Sequence, residues 1–538
     1  MKAGLITVLQ LATAVAGQYS HQQPLNAEGS SNSKPDSEYQ FEWPVKRVAV
    51  IGTGVGGLIA YREFTEHGFE VDIYERDSVA GGNWHYTDET AVDAPIPNAH
   101  VAVGDYEPSL PPKGVSYPYT KEWKSDGETA AYYRRVHRAP KPIWASLKSN
   151  APAPIQQIRE TPWPKGTEWE LPHAKLSRYI RAFASWHGVN ANDGNPHAFY
   201  NTRVEHVERN AAGWTLIAKE LVKTEANTTR ATWTKKDYDA VVVATGRYNA
   251  PNIPVINGLA KWNEEFPGKL RHSRQYRRPE VYANKTVLII GAANYLRDEV
   301  CPHFPLADHL RRLPPNVTLV GEIKTFANPG SSIESSEVHL VNGTVISGLD
   351  HVIFGTGYRY TYPFLPQKAS VQPLITDGSH IRSLYLDAFY IPDPTLLFIN
   401  GSRLQYAEFV SLAAAKVWSS AADFPDASAL WAWYDKAVVD RLGFGRQFQF
   451  YGTERTQAAL RFFVGWLNDA ATKYGGKQID NLPAENAEIS KIWSSARWGN
   501  PNRGSSFPSN LVDVVTPDAP RVDGSEPWVQ DAVYSDWW

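Results

Sequence analysis

Val48-Ala49-Val50-Ile51-Gly52-Thr53-Gly54-Val55-Gly56-Gly57 is the stretch that decides the fold. A short apolar run ends in a glycine-rich turn, a helix is expected from about Gly57 to His67, and Val71–Tyr74 follows as the second strand. That order is a β-α-β unit. Each glycine of the G-x-G-x-x-G pattern has its own reason. Gly52 permits the tight turn, Gly54 lets the main chain approach a pyrophosphate, and Gly57 lets the helix pack close to the sheet. The helix amino terminus then offers unpaired N–H groups to the diphosphate. Glu75, at the end of the second strand, stands where an acid accepts hydrogen bonds from both ribose hydroxyls of a dinucleotide.

Further along, the same texture recurs. Val287–Ile290 leads into Gly291 and a second expected helix, and two more apolar runs, Ala240–Val243 and His351–Phe354, each end in a Thr-Gly pair. Between Val204 and Trp233, alternating apolar and polar residues around the turn at Asn210-Ala211-Ala212-Gly213 predict a small antiparallel sheet. The expected fold is α/β with two Rossmann-like dinucleotide-binding domains, the smaller inserted in the larger. The expected boundaries are 45–250 and 347–475 for the larger and 251–346 for the smaller. A Trp- and Pro-rich extension, 476–538, carries no assigned role.

The residues after Glu75 are more specific. Gly81-Gly82-Asn83-Trp84, following G-x-G-x-x-G and the acid, resembles the FAD-binding start of the flavin-containing monooxygenases and their Baeyer–Villiger relatives. Phe266-Pro267-Gly268-Lys269-Leu270-Arg271-His272-Ser273-Arg274-Gln275-Tyr276 matches F-x-G-x-x-x-H-S-x-x-Y, the identifying sequence of the first group, and Tyr276 favours it over the Baeyer–Villiger type. Ala244-Thr245-Gly246 and Gly355-Thr356-Gly357-Tyr358 resemble the family's crossings between domains, and Ser149-Asn150-x-Pro152 its Thr-Asn-x-Pro turn.

The resemblance implies bound FAD, reduction by NADPH or NADH, and O2 added at the flavin C4a carbon. The resulting peroxyflavin would pass oxygen to a soft nucleophile, an amine nitrogen or sulfide sulfur of a small molecule. In such an enzyme the cofactor carries the hard chemistry. The resemblance places Gly56, Gly82, Asn83, Trp84, Ser149, Thr245 and Gly246 beside the flavin nucleotide, Val204 as a main-chain clamp on adenine, and Asn150 against the flavin as the active-site amide. His272 reads as a hydrogen-bonded hinge that couples the domains rather than as a base.

The second nucleotide turn departs from the pattern. Gly291-Ala292-Ala293-Asn294-Tyr295-Leu296 keeps one glycine of three, so Gly291 and Asn294 are the remaining candidates for the nicotinamide nucleotide. Glu322, after Val317–Val320, would repel a 2′-phosphate and suit NADH, with Lys324 nearby as compensation. Two alternatives therefore stay open: an FAD-dependent oxidase releasing hydrogen peroxide, and a non-catalytic flavoprotein scaffold.

The remaining features concern compartment and partners. Lys2, the apolar run Leu5–Ala16 and Ala14-Val15-Ala16 read as a secretory signal over residues 1–17, too short to span a bilayer comfortably. A polar leader, 18–44, follows. Asn227, Asn284, Asn316, Asn342 and Asn400 begin Asn-x-Ser/Thr sequons, and export would make the protein a secreted glycoprotein. Cys301 is the sole cysteine, which excludes an intramolecular disulfide and cysteine-built metal sites; no metal is expected. With 54 basic against 57 acidic residues, no basic excess points to nucleic acid.

Overall fold

In the computed structural model, residues 5–8, 38–164, 166–225, 227–291, 316–366, 373–399, 404–451, 453–476, 478–479, 481–482, 489 and 522–523 are described. They fall into two compact units. The described residues of 38–92, 100–250 and from 359 onward form the larger, and the described residues of 93–99 and 251–358 with Leu5–Val8 form the smaller.

The larger unit is built on a seven-stranded sheet. Its strands run Leu384–Tyr385, Phe389–Tyr390, Leu396–Phe398, Ala240–Val243, Arg47–Ile51, Glu70–Tyr74 and Ala198–Phe199 across the sheet. The five from Leu396–Phe398 to Ala198–Phe199 are parallel. Ala240–Val243 and Val48–Ile51 read as unbroken apolar runs because helices cover such sheets, so both faces are buried. The helix Val55–Glu66 starts directly after the glycine turn and packs with the helix Leu404–Trp418 in the main core. Phe64 stacks on Trp418 there at 5.1 Å. The expected antiparallel sheet is present as Tyr119–Lys124, Thr228–Tyr238, Gly213–Glu225 and Thr202–Asn210, in that spatial order.

The smaller unit carries a parallel five-stranded sheet in the order Leu270–His272, His351–Phe354, Val287–Ile290, Leu5–Val8, Val317–Val320. Two boundaries differ from the sequence reading. His351–Phe354, expected in the larger domain, pairs with Val287–Ile290 and Leu270–His272, so the smaller unit runs on to Tyr358. Glu38–Pro44, expected in the leader, is docked: the Tyr39 N–H donates to the Phe424 carbonyl at 3.0 Å, and the Trp43 indole N–H to the Asp239 carbonyl at 2.9 Å. Aromatic residues in an otherwise polar leader carried that signal. Leu5–Val8, inside the apolar run read as an export signal, is a strand between Val287–Ile290 and Val317–Val320.

Candidate flavin site

The site forms at the carboxyl edge of the larger parallel sheet, where ligands of doubly wound folds bind. Gly52 sits at φ +109°, and a Cβ there would lie 2.7 Å from the Ala244 carbonyl oxygen at the end of the adjacent strand. A Cβ on Gly57 would lie 1.8 Å from the Gly52 carbonyl oxygen. Gly56 faces Ile399, whose side chain a Cβ would meet at 2.9 Å. These three glycines are demanded by the protein's own packing. Gly54 is different: a Cβ there would meet only Gly82 Cα, at an ordinary 3.7 Å. Packing therefore does not demand Gly54, and its bare main chain leaves room for the close approach of a pyrophosphate.

The second glycine turn closes over the first. The Gly81 N–H donates to the Thr53 carbonyl at 3.1 Å, and Gly81 and Gly82 both take positive φ, +131° and +52°. Gly82-Asn83-Trp84 forms one 3₁₀ turn. Trp84 packs against the cluster of Ala153, Trp163, Leu171 and Leu176. The Ser149–Asn150 loop joins that cluster: Ser149 is fully buried, its N–H donates to the Leu171 carbonyl at 2.8 Å, and its hydroxyl accepts from the Leu171 N–H at 3.0 Å. Asn150 itself is exposed. One apolar cluster therefore supports both the second glycine turn and the loop bearing the expected amide.

Glu75 is buried and braces the turn before any ligand is considered. Its Oε2 accepts from the Thr53 N–H and hydroxyl, both at 2.9 Å, and its Oε1 from the Asp77 N–H at 2.8 Å. A carboxylate offers about four lone-pair sites. Three are taken, so Glu75 has room for one ribose hydroxyl where the sequence suggested two. Val204 starts the bulged stretch of its strand, close to Thr202, whose N–H donates to the Glu75 carbonyl at 2.8 Å. The Val204 carbonyl already accepts from the Tyr106 hydroxyl at 2.7 Å, so an adenine clamp would share that oxygen. The Thr245 hydroxyl oxygen, beside Gly52, is buried without a partner among the described residues. An orphaned hydroxyl, a glycine with no packing duty and a carboxylate lone pair on one sheet edge fit the diphosphate and ribose of FAD.

Several residues here were missed by sequence reasoning. Arg76 donates to Asp105 at 2.6 Å and to the Asn249 side-chain oxygen at 2.8 Å, while the Asn249 amide donates to the Thr245 and Gly246 carbonyls at 3.0 and 3.2 Å. This chain ties two strand ends together across the sheet edge. Asp77 accepts from His85 at 2.9 Å and pairs with Arg138 at 2.7 Å. Burial would raise the Asp77 carboxyl, but the His85 hydrogen bond and the Arg138 charge prevail and hold it well below the usual carboxylate range. No spacing rule joins residues so far apart in the chain. Only the adjacency of Arg76 and Asp77 to Glu75 could have drawn attention.

In the smaller unit, Gly291 sits at φ +127°, and a Cβ there would lie 2.5 Å from the Gly355 carbonyl oxygen. Asn294 lies outside the described residues. The described part of this turn fits a nucleotide-binding crossing, with Gly291 as the residue that would hold NADPH closest to the strand end. Glu322 follows the strand Val317–Val320, and its carbonyl accepts from the Val341 N–H at 2.8 Å. His272 is a buried brace rather than a base. Its Nε2 lies 3.0 Å from the Gly357 carbonyl oxygen and its Nδ1 accepts from the Arg274 N–H at 3.1 Å. The carbonyl requires Nε2 to donate and the N–H requires Nδ1 to accept, so the ring is neutral. Burial, with the Arg274 charge, pushes its pKa down to about 4 against the opposing pull of the Gly357 bond. The expected link between domains is corrected: these hydrogen-bond partners all belong to the smaller unit, because His272 ends one strand opposite Phe354 and Gly357 follows three residues after that neighbour's end.

A Rossmann-type turn with flavin-nucleotide geometry in the larger unit, and a parallel strand ending in a positive-φ glycine in the smaller, mark a flavoprotein of the dinucleotide-binding class. The family model described as flavin-binding monooxygenase-like matches residues 135–301, and that of an NAD(P)-binding Rossmann-like domain matches residues 50–109. The chain is 44% identical over 528 residues to the flavin-containing monooxygenase iboF of Amanita muscaria, covering 88% of this chain and 98% of that protein. It is 25% identical to the thiol-specific monooxygenase of Saccharomyces cerevisiae, over 67% of this chain and 73% of that one. Among solved structures, the S-allyl-L-cysteine S-oxygenase of Allium sativum shares the fold, with a TM-score of 0.58, 19% identity, and coverage of 87% of this chain and 97% of that one.

The chain belongs to the flavin-containing monooxygenase family. It is a flavin-dependent monooxygenase that uses FAD and NADPH and acts on a small molecule with O2. Among the described residues, no helix is long and apolar enough to cross a membrane.

Proposed function

We propose that this monooxygenase oxygenates a soft nucleophile, a sulfide sulfur or an amine nitrogen, in a small substrate, with Asn150 as the amide facing the flavin. The observation that carries this reading is the shared support of the two elements: the Trp84 turn and the Ser149–Asn150 loop rest on one apolar cluster. Bound flavin supplies the redox chemistry, taking electrons from the nicotinamide and activating O2. The chain's own residues supply binding and orientation. Gly54 and Thr245 line the diphosphate path, Glu75 accepts one ribose hydroxyl, and an amide at Asn150 donates hydrogen bonds without offering an acidic proton. The thiol-specific activity in the name of the yeast relative favours sulfur.

The test is anaerobic reduction of the yellow protein with NADPH, then NADH, followed by air and a thioether or tertiary amine. Oxygenated product in step with nicotinamide consumption supports the reading. Bleaching by substrate alone, with hydrogen peroxide formed, would replace it with an oxidase. Replacing Asn150 by Ala should leave flavin content intact and lower product yield per nicotinamide at least tenfold. Glu322 leads us to expect weaker discrimination for NADPH over NADH than a site with a basic residue there, and the same titration measures it.

For compartment, the reading we favour is entry into the secretory route with removal of the first residues. The sequon asparagines Asn227, Asn284, Asn316 and Asn342 are all exposed, which suits glycan attachment; Asn400 lies outside the described residues. Pairing of Leu5–Val8 within the smaller sheet competes with this reading, since a removed segment cannot also be a strand. The mass of the mature chain before and after deglycosylation decides between them. An intact Met1 and an unchanged mass would end the export proposal.

A further inference from the structure

Several elements of the larger unit meet at a buried cluster of charges. Arg62 and Glu63 come from the helix Val55–Glu66, Glu408 from the helix Leu404–Trp418, and Arg159 and Glu160 from the loop that begins at Asn150. His187 caps the helix His173–Trp186 beside them. Arg62 pairs with Glu63 at 2.7 Å and with Glu160 at 2.6 Å, and His187 lies 3.1 Å from Glu160. Glu408 is fully buried yet has longer ionic contacts, 3.7 Å to Arg62 and 3.6 Å to the Arg159 Nε. It also accepts a hydrogen bond from the Arg159 main-chain N–H at 3.1 Å.

That N–H belongs to the loop bearing the amide assigned to the flavin, and the loop is held by two different cores. After Asn150 a turn closes, with the Gln156 N–H donating to the Pro152 carbonyl at 3.1 Å, and Ala153 joins the apolar cluster against Trp84. Farther on, Ile158 enters the main core shared with the helix Val55–Glu66, and its N–H donates to the Tyr179 hydroxyl at 2.7 Å. Arg159 follows directly and is the point at which the loop meets Glu408.

Three carboxylates, Glu63, Glu160 and Glu408, thus face two guanidinia, and Arg62 gives its short contacts to the first two. Glu408 is left the least compensated. Burial pushes its carboxyl up to about 7 against the opposing pull of Arg159, Arg62 and the Arg159 N–H, and Glu63 adds to the rise. Glu66 and His67 act on Glu63 from the same helix, and Tyr179 completes the groups that face Glu408. Ionised, Glu408 holds Arg159 by charge-assisted contacts; protonated, it keeps at most a neutral hydrogen bond. We infer that Glu408 is a positioning residue: its carboxylate clamps the loop bearing Asn150 to the helix Leu404–Trp418, and the clamp loosens when the group takes a proton. The consequence for turnover rests on the reading of Asn150 as the amide facing the flavin.

The experiment uses the flavin-loaded full chain with NADPH, air and methyl p-tolyl sulfide as the probe. Between about pH 5 and 9, hydrogen-exchange protection of residues 150–161 and sulfoxide formed per NADPH consumed are followed together. Protection factors remove the intrinsic pH dependence of exchange, and a yield per NADPH removes that of flavin reduction. Both should rise with pH through a midpoint near 7. Glu408→Gln keeps the shape and an acceptor but never ionises. At the alkaline end its protection should lie about fivefold below wild type, the difference between a charged and a neutral acceptor, with sulfoxide yield lowered in step and flavin content unchanged. Below about pH 6 the two proteins should agree. The proposal is overturned if wild-type protection shows no step, or if Glu408→Gln keeps the wild-type profile. In a wild type that makes sulfoxide, a step in protection without one in yield reduces Glu408 to a structural brace and equally overturns it. Absence of sulfoxide at every pH, or Asn150→Ala with the wild-type yield, refutes the reading of the site instead; protection, which needs no turnover, then decides the clamp.

Discussion

The two strand-end glycines, Gly52 in the larger unit and Gly291 in the smaller, solve the same problem in the same way. Each takes positive φ, +109° and +127°, and each lies under a carbonyl of the neighbouring strand end, Ala244 and Gly355, with no room for a Cβ. Each of those carbonyls belongs to a residue that opens a Thr-Gly pair. Beyond that first glycine the turns diverge. The larger unit keeps Gly54 and Gly57, whereas the smaller has Ala293 and Leu296 at the corresponding places. The lesson is that G-x-G-x-x-G is a composite of separable demands. The first glycine is required by the crossing of two strands and the third by helix packing, while packing makes no demand on the second. A chain that keeps only the first has kept what its sheet needs.

Substitutions can break this comparison, beginning with the most damaging. Gly57→Ala forces a Cβ to within 1.8 Å of the Gly52 carbonyl oxygen, and we expect a loss of about 4 kcal/mol or failure to fold, read from denaturant unfolding of the larger unit. Next come Gly52→Ala and Gly291→Ala, which combine a strained φ with a backbone contact under 3 Å. Each should cost its own unit about 3 kcal/mol. Unequal losses, by more than about 1 kcal/mol, would show that the two crossings are not equivalent. Asp77→Asn removes a buried charge from Arg138 and His85 and should cost about 3 kcal/mol at neutral pH. Because the folded carboxyl titrates below its unfolded value near 4, its contribution is present above about pH 4 and fades as pH falls further. The wild type's advantage over Asp77→Asn should therefore shrink in acid, and unfolding midpoints across pH 2–7 measure it. Smallest in stability is Gly54→Ala. Its Cβ meets only ordinary contact, so the flavin-free protein should unfold within about 0.5 kcal/mol of the wild type's flavin-free form. It should nevertheless purify colourless. A yellow Gly54→Ala protein would sink the assignment of that glycine to the ligand.

The apolar runs Val287–Ile290, Val317–Val320, Ala240–Val243 and His351–Phe354 are strands with the bounds read from the sequence. Ala240–Val243 is buried at every position and is apolar throughout, a constraint local enough to read, whereas Val317–Val320 is exposed at Thr318 and Leu319. The glycine turns and Glu75 were legible for the same reason. Membership of His351–Phe354 in the smaller sheet was not, because an apolar run does not say which neighbour it pairs with. Nor was the docking of Glu38–Pro44, which depends on Phe424 and Asp239 far along the chain.

The amino-acid order by itself determined the first β-α-β start, the second strand-to-glycine crossing, the flavin-type turn with its acid, and the family signature, since each rests on residues close together in the chain. Tertiary structure alone decided that Glu75 retains one free lone-pair site and that Arg76 and Asn249 tie two strand ends together. Those facts arise from residues that meet only once the sheets are assembled, because hydrogen bonding depends on distances in space that sequence separation does not encode.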